Sequence, residues 1–105
     1  MGEPMRIRAS MVGERVEVKV VMAHAMETGL RKGSSGAAIP AHFIQTVTVE
    51  HNGNTVLSAQ WGPSISRNPF LHFRFRGGIP GEKVTVTWID NRGDRRTDQA
   101  TIAGP

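Results

Sequence analysis

The chain has 105 residues, the length of one ordinary domain, and its composition, 38% hydrophobic and 21% charged, is that of a globular rather than a disordered protein. Thirteen Lys and Arg against nine Asp and Glu give a net charge of +4, scattered along the chain rather than gathered into the single stripe of a nucleic-acid protein. There is no cysteine, which excludes a disulfide, a thiolate nucleophile and a thiolate metal site.

The dominant period is two. In "MRIRASM" the residues Met5, Ile7, Ala9 and Met11 share one face and Arg6, Arg8 and Ser10 the other, the alternation of a half-buried strand. A tight turn at residues 12–15 follows, and Val16, Val18, Val20 and Met22 resume the apolar face, so residues 5–22 read as a hairpin. The stretch from Val21 to Gly36 breaks the pattern, a strand running into a long polar loop with a basic centre, and the Gly-, Ser- and Ala-rich piece at 32–38 reads as the most mobile part. In "FIQTVTVEHN" Phe43, Val47 and Val49 are expected on one face. Asn52-Gly53 is a strong hairpin signal, because both residues tolerate positive φ, and Leu57, Ala59 and Trp61 line the returning strand. Gly62-Pro63 ends it. "FLHFRFR" sets Leu71, Phe73 and Phe75 against Phe70, His72, Arg74 and Arg76, and "KVTVTWID" turns Val84, Val86 and Trp88 inward before residues 91–94 close a last hairpin.

Seven short strands without a sustained 3.6-residue period predict an all-β, immunoglobulin-like antiparallel sandwich as a single domain over residues 1–105, with an open barrel as the second choice. Trp61 and Trp88 are expected in the core. The first hairpin, residues 6–22, and the last, residues 84–102, are expected at the sheet edges.

These elements offer four candidate kinds of chemistry. Met22, His24 and Met26 alternate, a spacing that suits copper(I) on an extended segment, against the plainer reading of core methionines and a locally bonded histidine. His24, His42, His51 and His72 fall in four segments, and no pair has the close spacing of a zinc motif. Asp90, Asp94, Asp98 and Glu82 sit in or beside turns, where short acids accept from backbone N–H groups, and no nucleophile elbow, P-loop or paired-carboxylate pattern occurs, so no enzyme and no cofactor is expected. Phe70, Arg74 and Arg76, with Arg67 nearby, offer an aromatic and basic mixture that could stack bases, but a solvated strand face is the simpler account, so neither nucleic acid nor membrane is expected as a partner. The fourth reading is a protein-docking surface. Met26 and Leu30 are apolar anchors followed by Arg31 and Lys32, and with His24, Glu27, Ile39, Phe43, Arg67 and Phe70 they make the aromatic, methionine and arginine mixture that interfaces prefer.

The strings "MRIRA", "HAMETGLRK", "IPAHFIQ", "VTVEHNGNTVLSAQWGP", "NPF" and "VTVTWIDNRGDRRTDQATI" together resemble the SoxZ family over nearly the whole chain. These are the cysteine-free subunits of the SoxYZ sulfur carrier of bacterial thiosulfate oxidation. The resemblance implies a heterodimer of immunoglobulin-like subunits, in which a SoxY-like partner carries sulfur intermediates on a cysteine of its C-terminal arm between periplasmic enzymes. It departs from the family pattern at Ala25, where proline is expected, and at Gln99, where an acid is expected. The first ten residues lack the apolar core of a secretory signal, and no apolar run approaches the ~20 residues of a membrane span. Taken alone the chain would stay in the cytoplasm; the resemblance implies export to the periplasm bound to a partner that carries the signal. The alternative reading is a free-standing β-sandwich that binds a metal or an anion.

Overall fold

Alternating side chains become seven strands in the computed structural model, which describes residues 2–105. They are β1 (Arg6–Val12), β2 (Arg15–Val21), β3 (Ile44–His51), β4 (Asn54–Gln60), β5 (Phe70–Arg76), β6 (Lys83–Asp90) and β7 (Arg95–Ala103), and no helix occurs among the described residues. All seven belong to one mixed sheet in the order β4-β3-β6-β7-β1-β2-β5. Every pairing is antiparallel except β1 with β7, which run parallel through Ala9↔Ile102 and Ser10↔Ala103.

That short parallel contact changes the architecture expected from the sequence. It joins the β1-β2-β5 half to the β4-β3-β6-β7 half, so the strands form one curled, nearly barrel-shaped sheet rather than two separate sheets. Val16, Val18 and Val20 of one half and Val47, Val49, Val84, Val86 and Trp88 of the other belong to a single buried cluster. Both hairpins expected at the edges are interior, and the open edges are β4 and β5. Strand order depends on which distant segments pair, which local periodicity does not encode.

The turns follow their residues. Asn52 and Gly53 both have positive φ, 50° and 78°, and join His51 to its cross-strand partner Asn54 in a two-residue loop. Gly13, φ 62°, does the same between β1 and β2. One inward assignment shifts. A register irregularity between Ile44 and Thr46 changes the phase of β3, so Ile44 is fully buried together with Val47 and Val49, while Phe43 is only half-buried. Trp88 is fully buried and Trp61 packs half-buried against the core, as expected.

Candidate functional site

The segment between β2 and β3 is not a featureless loop. Its two arms run antiparallel: Glu27 and His42 exchange both backbone hydrogen bonds, at 2.7 and 3.0 Å, Ile39 N–H donates to the Arg31 carbonyl at 2.7 Å, and Lys32 pairs with Ala38. Gly33 and Gly36 close the tip. Residues 27–42 are therefore a narrow hairpin, and the small residues of 32–38 are its turn. Before it, the chain from Met22 to Met26 lies against residues 68–69. Met22 N–H donates to the Pro69 carbonyl, Asn68 N–H to the His24 carbonyl, and His24 N–H to Asn68 Oδ1.

Three side chains distant in sequence staple the base of this hairpin. His24 Nε2 lies 3.1 Å and His42 Nε2 2.8 Å from the same oxygen, Oδ2 of Asp90. The other oxygen, Oδ1, accepts from the backbone N–H groups of Arg92 and Asp94 at 2.9 and 3.0 Å, the turn-capping role expected of this aspartate. Asp90 and His24 are buried, and His42 is half-buried. Burial would push the Asp90 carboxyl up, but hydrogen bonds from His24, His42 and the two backbone amides outweigh it and hold the group below the usual aspartate value. His24 moves the other way for a histidine: burial, partly opposed by its bond to Asp90, lowers its affinity for a proton.

The protonation pattern follows from the partners. His24 Nδ1 accepts the backbone N–H of Met26 at 3.1 Å, so Nδ1 carries no proton and the ring of a neutral His24 donates from Nε2 to Asp90. The same bond holds Met26 at φ 50°, a left-handed conformation that costs a residue other than glycine about 1 kcal/mol or more and that turns the chain into the hairpin. Asn91 clamps the second arm, accepting from Phe43 N–H and donating to the Ala41 carbonyl.

Ring nitrogens and a carboxylate within 4.8 Å of one another are also what a divalent metal needs. Here the donor pattern opposes it. A histidine that ligates through Nε2 carries its proton on Nδ1 and donates it to an acceptor, whereas Nδ1 of His24 faces an N–H donor. All four acceptor positions of Asp90 are in use. The sulfur of Met26 accepts from Ile44 N–H at 3.4 Å, and Met22 is fully buried in the core, so the alternating Met-His-Met set serves packing.

The ten residues expected to contact a partner separate into five places. His24 and Met26 are buried, so neither side chain offers a surface; alternation turned them inward as it did Met22. Glu27, Arg31 and Arg67 line one groove with Met26 at its wall. Arg31 grips Glu27 with two hydrogen bonds, 3.0 and 2.6 Å, and with Arg67 close by the Glu27 carboxyl is held below its usual range, Arg31 being the main cause. Leu30, 86% exposed, and Lys32 project from the hairpin, and Ile39 is half-buried on its second arm. Phe43 packs against the core, while Phe70, 60% exposed, lies on the outer face of β5. The one grouping that sequence reasoning missed is the staple itself. Its members stand 18 and 48 residues apart, and only the capping role of Asp90 left a local signal.

A family model described as "Sulphur oxidation protein SoxZ" matches residues 5–101. The chain belongs to the SoxZ family. Comparison with individual curated proteins gives no match. Among solved structures, the fold is similar to a superoxide reductase (neelaredoxin) from Ignicoccus hospitalis, with a TM-score of 0.62 and 12% identity over 98% of this chain and 81% of that one. It is also similar to the reduced E12V form of the Archaeoglobus fulgidus superoxide reductase, with a TM-score of 0.57 and 18% identity over 95% and 86% of the two chains. At such identities the likeness is one of fold.

Proposed function

We infer from membership of the SoxZ family that the chain has a role in sulfur oxidation. We propose that this chain is the non-catalytic subunit of a heterodimeric sulfur carrier, and that it binds a SoxY-like subunit whose C-terminal cysteine arm takes sulfur intermediates from one periplasmic enzyme to the next. The observation that carries this reading is the SoxZ match over residues 5–101 of a chain without cysteine. A carrier whose cargo is bound to sulfur gains from a platform without competing thiols, which would exchange with the carried group. The covalent residue then has to be on another chain.

The hairpin of residues 27–42 is the docking element in this proposal. Leu30 offers an apolar anchor, Lys32 has no carboxylate partner among the described residues, and the Glu27–Arg31 pair beside Arg67 gives a charged rim. The buried staple at its base holds the arms in one geometry, which reduces the ordering cost of binding. Arg31 and Lys32, the first with Arg67 on the same groove, would also attract anionic sulfur species. An obligate interface of this kind buries roughly 2,000 Å² or more. Export to the periplasm, bound to a partner that carries the signal, belongs to the same proposal.

The test is the native mass of the protein isolated from the periplasmic fraction, followed by subunit masses after denaturation. The expected result is a one-to-one complex whose second chain bears sulfur adducts that reductant removes. A lone 11.5 kDa chain found only in the cytoplasm would overturn it. The free-standing metal-binding alternative rests on the His24, His42 and Asp90 grouping; stoichiometric zinc or copper retained by the isolated chain after gel filtration would favour it.

A further inference from the structure

The outward side chains of β1, β2 and β5 stand in rows across the three strands. In one row Arg8 is opposite Lys19, and Lys19 is opposite His72; in another, Arg15 is opposite Arg76. Like charges directly opposite on an antiparallel ladder repel. Glu17 is the single carboxylate in these rows, and Lys19, His72 and Arg74 already share it, with His72 and Arg74 holding its carboxyl below the usual glutamate value. Among the described residues no carboxylate lies within ion-pair distance of Arg6, Arg8, Arg15 or Arg76.

Protection of an open edge does not explain this charge. Lysine or arginine on an edge strand discourages pairing with other molecules, and that suffices for Arg74 and Arg76 on β5. Arg6, Arg8, Arg15 and Lys19 lie on β1 and β2, each of which is already paired on both sides. The opposite half of the sheet has a different outer face, with Thr48, Thr87 and Thr97 in one row and Thr46, Ile89 and Arg95 in another.

A second observation points to the kind of occupant. Three of the five large hydrophobic side chains exposed among the described residues lie on this same basic face: Val12, Val21 and Phe70, at 42%, 41% and 60% exposure. Cations interspersed with exposed apolar groups on one sheet face are an interface composition. A single-stranded nucleic acid instead follows a basic groove and stacks successive bases on several aromatics, whereas Phe70 is the only exposed Phe or Trp here.

We propose that the outer face of β1-β2-β5 docks an acidic protein surface, whose carboxylates neutralise the rows of Arg8–Lys19 and Arg15–Arg76 while its apolar groups cover Val21 and Phe70. This surface is separate from the hairpin, and the proposal stands whether or not a SoxY-like subunit binds there. Glu17, in the middle of the face, sets the register by rejecting a carboxylate at that point.

The experiment measures binding of fluorescent poly-L-glutamate to the full chain by anisotropy at about 20 mM and about 200 mM salt, where screening lengths differ roughly threefold. Wild type should bind at low salt. Arg8→Gln with Lys19→Gln and Arg76→Gln should weaken binding by about tenfold or more and flatten its salt dependence. A control that removes equal charge elsewhere, Lys83→Gln with Arg92→Gln and Arg95→Gln, should change it less than about twofold. Equal losses in both variants would mean that net charge alone is read, and would overturn the proposal, as would absence of binding at low salt. Single-stranded DNA bound through the same rows more tightly than poly-L-glutamate would make this a nucleic-acid face instead. Since the triple variant on the face removes repulsion, its thermal midpoint should equal or exceed that of wild type at low salt; a lower midpoint would show that the cations stabilise the fold and would also overturn the proposal.

Discussion

The two ends of the β3–β6 pair each hold a histidine and a carboxylate, and they differ in what surrounds them. At one end His24 and His42 converge on Asp90, whose side chain is 0% exposed. At the other, His51 Nε2 lies 2.7 Å from Glu82 Oε1, Asn52 donates to Oε2 at 2.6 Å, and Ile79 N–H donates to Oε1; the Glu82 side chain is 24% exposed. Both carboxylates are satisfied by hydrogen bonds, so the chemistry is similar. The buried one shapes the chain by fixing the base of the hairpin, whereas the partly exposed one trims a turn. His51 is as buried as His24, so exposure of the carboxylate, more than residue type, separates the two ends.

Substitutions at the two ends should break the symmetry in a set order. Asp90→Asn should have the largest effect, about 3 kcal/mol of unfolding free energy in urea titrations, because the amide offers one acceptor oxygen where the buried carboxylate offers two to His24, His42 and the Arg92 and Asp94 N–H groups. Next is the acid response of the buried end. His24 binds a proton less readily folded than unfolded, so from the ordinary value of 6.5 downward the unfolded chain holds more protons and stability falls with pH. Asp90 is also held low, and its contribution is lost as the pH falls below the ordinary value of 3.8. A urea midpoint that declines from about pH 6.5 in wild type, and is flatter above pH 4 in His24→Gln, would match this account; a midpoint flat from pH 7 to pH 4 in wild type would contradict it.

Glu82 should matter less and later. Hydrogen bonds from Asn52, His51 and the Ile79 amide lower its carboxyl from 4.5 to about 2. A depressed acid contributes above its unfolded value and loses that contribution on the way down to its folded one, here between pH 4.5 and about 2. Glu82→Gln should therefore lower the thermal midpoint slightly at pH 7, and the gap from wild type should close across that window. Smallest of all, Arg31→Ala with Lys32→Ala should leave the midpoint unchanged, since the Glu27–Arg31 pair is exposed, while reducing partner binding.

The strands were legible because alternation is a local signal that burial enforces: Val16, Val18 and Val20 face the core, as do Val84, Val86 and Trp88. Turn residues were legible for the same reason, Asn52-Gly53 above all. Sheet order was not, because a two-residue parallel contact between the first and last strands moves both terminal hairpins to the interior. The staple was invisible because no spacing rule links His24, His42 and Asp90. Family resemblance came from specific strings, which periodicity alone would not have supplied.

The central claim is that a stapled hairpin presents the docking surface. Its most direct test is the affinity of the SoxY-like subunit for wild type and for Leu30→Glu with Lys32→Glu, with thermal midpoints measured alongside. Both side chains are exposed, so the account predicts an unchanged midpoint and binding at least about tenfold weaker, roughly 1.4 kcal/mol. Equal affinity for the two proteins would contradict it and move the interface to another surface.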